Sequence, residues 1–163
     1  MLLATCYLLL VSCGFHLRGT GLAQLPEVLA VLRVAVEGGA AVHDPLLDAM
    51  RDALREAGAT VSDAADAPVL RLSGEGFNTQ VLSVDAAGRV AEYLVRYEVS
   101  FRLTDAAGKE LVPAQTIRMQ RDYTFDRLNV IAKEKEEEDL RRELRRDVVR
   151  QIVRRLSKVA SSK

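Results

Sequence analysis

The stretch RVAEYLVRYEVSFRLTDAAGK (Arg89–Lys109) decides the fold. Ala91, Tyr93, Val95, Tyr97, Val99, Phe101 and Leu103 fall on one side of an extended chain, and Glu92, Arg96, Glu98, Arg102 and Thr104 on the other. A period of two sustained this long specifies a strand with one buried and one wetted face. Asp-Ala-Ala-Gly then supplies turn chemistry, and the same four residues precede the stretch at Asp85–Gly88. One strand separates the two turns, so they stand at opposite ends of the sheet. On the far side of the second turn, Ile117, Met119, Tyr123 and Phe125 continue the apolar face. Arg121 falls in register with them and is expected at the rim, its guanidinium snorkelling past the core edge. Before the first turn, Pro68–Phe77 alternates through Leu70 and Leu72 and runs on toward Val84, with Gly74 and Gly76 marking a bulge or a close backbone approach. Hairpins of this length reach on the order of 45 Å at about 3.3 Å per residue, and one end is expected to project beyond its covering helices.

Further out lie the elements that cover the sheet. Val28–Glu37 is apolar and β-branched, with Leu32, Val34 and Val36 on one face, and reads as a strand. His43–Gly58 carries helix punctuation at both ends. Asp44 can cap the first amides, Pro45 suits the first helical position, and Gly58 suits a left-handed stop. Leu46, Leu47, Met50 and Leu54 make its apolar face. The last element, Ile131–Val159, carries the ridge Leu140, Leu144, Val148, Ile152 and Leu156, widened by Val149 and Val153. Acidic residues crowd its start and arginines its end, in the sense that suits the helix dipole. Its charge reads first as a solvated face, with Glu137–Arg141 and Glu138–Arg142 at favourable spacing. The order β-α-β-β-β-α predicts an α+β two-layer sandwich: a four-stranded mixed sheet with two helices on one face and a largely polar opposite face.

The 163 residues suit a single domain, and the formal net charge is zero, with 23 basic and 23 acidic residues. No basic excess is present to neutralise phosphates, and no Trp is available for stacking, so nucleic acid is not expected as a partner. His16 and His43 lack partners at metal-ligand spacing, and neither a G-x-S-x-G motif nor a P-loop occurs. No metal, no cofactor and no enzymatic activity are expected.

Met1–Ser12 is apolar, uncharged and shorter than the roughly 20 residues a spanning helix needs. It fits the hydrophobic part of a secretory signal. Leu10-Val11-Ser12-Cys13 resembles a bacterial lipobox, which implies cleavage after residue 12 and a mature domain, 13–163, carrying S-diacylglycerol and N-acyl groups on Cys13. Two or three chains make a stable anchor where one is marginal. Gly14, rather than Asp, after the cysteine points by resemblance to the Gram-negative outer membrane.

Behind that lipobox come Cys13–Gly19 (CGFHLRG), Gly88–Phe101 (GRVAEYLVRYEVSF), Arg121–Asp126 (RDYTFD) and the helix Ala132–Leu156. In this order they resemble the LptE family of lipopolysaccharide-assembly lipoproteins. The resemblance implies a non-catalytic partner of the LptD-type outer-membrane β-barrel. Such a partner plugs the barrel one-to-one, helps it assemble and binds lipopolysaccharide. It also implies basic contacts for lipopolysaccharide, which fall on Lys133 and, less closely, on Arg89, since this chain's turn places its only basic residue after the glycine. The alternative is an outer-membrane lipoprotein activating a peptidoglycan synthase. That role calls for a long tether, whereas only Gly14–Pro26 leads to the first strand.

Overall fold

A computed structural model of the chain describes residues 24–38, 43–124 and 130–159, the side chains of the last helix from residue 135 onward. The long alternation forms β4 (Val90–Thr104), the centre of the sheet. It pairs antiparallel with β3 (Val69–Val84) on one side and β5 (Glu110–Thr124) on the other. Strand β1 (Val31–Val36) runs parallel to the first part of β3, from Arg33↔Val69 to Val36↔Leu72. The preceding residues, Glu27–Leu29, form a single 3-10 turn rather than the start of the strand.

The sheet has five strands, not the four read from the sequence. The fifth is β2 (Thr60–Val61), parallel to β1 at the sheet's edge, giving the order β2-β1-β3-β4-β5. It follows α1 (Pro45–Glu56) directly. Gly58, at φ +87°, turns the chain back, and the Thr60 and Ser62 amides then donate to the Ala30 and Leu32 carbonyls at 2.7 and 2.9 Å. Two residues are too few to show alternation, and the flanking Ala, Ser and Asp carry no strand signal.

Helix α1 starts where its caps predict. Asp44 Oδ1 accepts from the Leu46 and Leu47 amides at 3.0 and 3.1 Å. Its Leu46, Leu47, Met50 and Leu54 are buried. The second helix, α2 (Val130–Leu156), buries Leu144, Val148, Val149, Ile152, Val153 and Leu156, with Leu140 partly covered. Both helices share one continuous core with Leu32, Leu70, Leu72 and the inward row of β4, so they lie on the same face of the sheet. The other face carries polar pairs such as Arg118–Glu98 and Ser100–Thr116, at 2.9 and 2.8 Å.

The Gly-Glu-Gly stretch is a bulge. Pairing passes from Ser73↔Ser100 to Gly76↔Glu98, so Gly74 and Glu75 together oppose Val99. Gly74 sits at φ +61°, where a side chain would be strained, and a Cβ on Gly76 would stand 3.3 Å from Glu98 Cγ. The extra residue resets the alternation: Leu70 and Leu72 face the helices before it, and Phe77 does so after it. Beyond Leu72, β3 has no described neighbour on its outer side, so the sheet narrows from five strands to three. The long hairpins, expected to project beyond their helices, project instead beyond β1 and β2, while α2 still accompanies them, with Arg141 over Phe77.

Candidate functional site: the three-stranded end of the sheet

The β3–β4 turn, the end of β5 and the start of α2 come together at the narrow end, since Glu92 pairs with Thr124 and α2 begins at Val130. Arg89 and the α2 turn that contains Lys133 therefore belong to one end of the molecule. The side chain of Lys133 lies outside the described residues, as do Cys13, His16, Phe125 and Asp126.

Arg89 is held by its own turn. Asp85 Oδ1 accepts from the Ala87 and Arg89 amides, both at 2.9 Å, and Asp85 Oδ2 accepts from Arg89 Nε at 2.8 Å. Gly88, at φ +73°, closes the turn. The guanidinium is exposed, yet its nearest anion belongs to the protein itself. A phosphate reaching Arg89 must compete with Asp85 or share the guanidinium's remaining donors.

Behind the turn, Tyr93 and Tyr123 stack across β4 and β5 with ring centroids 5.5 Å apart. The Tyr123 hydroxyl is shielded from solvent and has no hydrogen-bond partner among the described residues. Burial, followed by the charge of Glu137, the neighbouring Tyr93 and Glu136, raises its pKa above the usual phenol value. The carboxylates named here stand on the first turns of α2, so the narrow end carries both signs of charge and is no simple basic patch.

Where the narrow end joins the five-stranded body, the bulge presents Glu75 to α2. Glu75 Oε1 accepts from the Tyr97 hydroxyl at 2.5 Å and from Arg145 Nε and Nη2 at 3.2 and 3.1 Å. Burial, then the hydrogen bond and charge of Glu75, push the Tyr97 phenol above its ordinary range, against a smaller lowering by Arg145. Next to this cluster, Arg141 lies 4.0 Å over the Phe77 ring, and Phe77 meets Tyr97 edge-on at 6.4 Å. Arg121 sits at the core's rim, as its register predicts, and its guanidinium approaches Asp147 of α2 at 3.5 Å. Arg155 donates to Gln115 at 2.7 Å. Several charges on α2 thus tie the helix to the sheet, beyond the solvated face expected of them. Glu137 pairs with Arg141 at 3.8 Å, while Arg142 is engaged by Asp139.

Among the described residues no cluster of three or more His, Cys, Asp or Glu side chains is arranged to hold a metal, and no helix is long and apolar enough to cross a membrane. Residues 30–156 match the family described as LptE, lipopolysaccharide-assembly. The chain belongs to the LptE family. It is 30% identical over 145 residues to the LPS-assembly lipoprotein LptE of Photorhabdus laumondii, covering 88% of this chain and 76% of that one. Against the LptE of Yersinia enterocolitica it is 32% identical over 146 residues, covering 88% and 67%. The solution structure of a lipoprotein B from Nitrosomonas europaea superimposes with a TM-score of 0.74 at 28% identity, covering 91% of this chain and 94% of that one. LptE membership assigns the chain to lipopolysaccharide assembly among lipoproteins and not to an enzyme class, as the sequence motifs had indicated.

Proposed function

We propose that this chain is a non-catalytic outer-membrane lipoprotein that plugs an LptD-type β-barrel one-to-one, helps it assemble, and binds lipopolysaccharide on its way to the outer leaflet. Family membership across 30–156, which includes both helices and all five strands, carries the reading. The physics agrees with it. A barrel lumen is polar, and the outer sheet face, with its Arg118–Glu98 and Arg102–Glu37 pairs, offers polar surface to such a wall. In this reading residues 1–12 are removed as a signal, and the domain 13–163 is held on the periplasmic side of the outer membrane by acyl groups on Cys13. Lys133 and Arg89 meet the phosphates of lipid A through charge-assisted hydrogen bonds, Arg89 while still held by Asp85.

The test is lipopolysaccharide binding by the purified protein and by a variant combining Lys133→Glu with Arg89→Glu. Weakened binding in the variant supports the site, and unchanged binding removes both residues from it. Mass spectrometry of the mature amino terminus checks the anchor: an acylated Cys13 is expected, and an unmodified thiol would overturn it.

A further inference from the structure

The two long edges of the sheet are built differently. The outer edge of β5 carries Pro113, Arg118 and Asp122, residues that discourage another strand from pairing, while Arg121 reaches Asp147 of α2. The outer edge of β3 beyond Leu72, residues 73–84, has no Lys, Arg or Pro, and its one charge, Glu75, is turned to α2. Residues 78–82 are exposed on both faces of the strand, with Val81 at 54% and Leu82 at 50%. Among the described residues nothing pairs with this edge, which presents alternate backbone N–H and C=O groups over roughly 40 Å.

The side chains across the sheet say what completes this edge. On the helix side, the row Met119–Tyr97–Phe77 runs across β5, β4 and β3 and is closed at Phe77 by the Arg141 guanidinium. The next row but one, Tyr123–Tyr93–Val81, is stacked at its inner end and stops at Val81 in solvent. We propose that residues 78–84 are a strand-addition site for an extended segment of the partner protein, with an aromatic or β-branched residue continuing the row beyond Val81. Repeating main-chain donors and acceptors are matched only by another extended polypeptide, and the uncharged edge selects an uncharged one. For the identity of that partner, the inference rests on the barrel reading given above.

The experiment is amide hydrogen exchange on the full acylated protein, alone and in its complex with the barrel, together with the Val81→Lys variant. Val81 is exposed, so the lysine does not disturb the core. Protection of alternate amides within 78–84 in the complex is expected, with complex formation weakened about tenfold by Val81→Lys, the size of one interface anchor lost. A complex that forms with these amides still exchanging freely overturns strand addition and leaves the barrel reading intact. If no barrel complex forms, the barrel reading fails, and this assignment with it. Protection that grows with the protein's own concentration would instead make the edge a seam between two copies. Protection by lipopolysaccharide micelles alone would make it a lipid contact. Either result overturns the proposal.

Discussion

The two halves of the sheet use the same three strands to different ends. In the wide half, β3–β5 are joined by β1 and β2 and roofed by both helices, and Leu70, Leu72, Phe101 and Leu103 are removed from solvent. In the narrow half the same strands continue without β1 and β2, Val95 is the last fully buried residue of β4 toward its start, and Val81, Leu82 and Val84 stand exposed. All three strands run unbroken through both halves, so strand formation itself does not explain the difference. What changes is the number of strands, from five to three, and the Gly74–Glu75 bulge marks the boundary. The fully buried residues of β3 belong to the wide half, and its exposed apolar residues to the narrow one.

Substitutions can break this comparison. Phe101→Ala, in the wide half, should destabilise by about 3–5 kcal/mol through cavity formation, whereas Leu82→Ala should change stability by no more than about 0.5 kcal/mol. Urea unfolding of both variants measures the contrast, and similar losses would show that the halves are equally packed. At the boundary, Glu75→Ala should cost about 1–3 kcal/mol, because it leaves the buried Tyr97 hydroxyl and the mostly buried Arg145 without their acceptor. A double-mutant cycle with Arg145→Ala should give less than the sum of the single losses. Additive losses would mean that Glu75 and Arg145 act separately.

Tyr97 adds a pH dependence to this boundary. Its folded pKa is raised above the unfolded value of about 10, so its contribution is present below that pH and lost as pH rises toward the folded pKa. Tyr97→Phe should flatten the alkaline loss of stability, at a neutral-pH cost of about 0.5–1.5 kcal/mol for the hydroxyl's hydrogen bond. An unchanged alkaline slope would mean that other groups carry that loss. The smallest effect belongs to the narrow end's turn. Arg89→Ala removes an exposed ion pair and should cost less than about 1 kcal/mol in thermal unfolding. A larger loss would make Arg89 a structural residue before a binding one.

Much of the wide half is written locally. The capping of α1 by Asp44, the alternation of β4 and the α2 ridge each follow from neighbours a few positions apart. The two Asp-Ala-Ala-Gly turns and the Gly-Glu-Gly bulge were equally legible, because left-handed backbone favours glycine. What escaped has no local period. Strand β2 exists because the chain leaving Gly58 meets free edge groups of β1, and the Glu75–Arg145 contact joins residues seventy positions apart. The bulge could be read from its glycines, but not the helix residue its carboxylate would reach. Of the candidate site, Arg89 could be placed at its turn, yet its engagement by Asp85 turns on side-chain geometry within that turn. Lys133 and Cys13 remain readings from pattern and resemblance.

The proposed barrel partner is tested most directly by isolating the tagged, acylated protein from native outer membranes in mild detergent. Mass spectrometry and quantitation of what accompanies it should find a large β-barrel at one-to-one. A cell-wall synthase in its place, or no partner at all, would contradict the account.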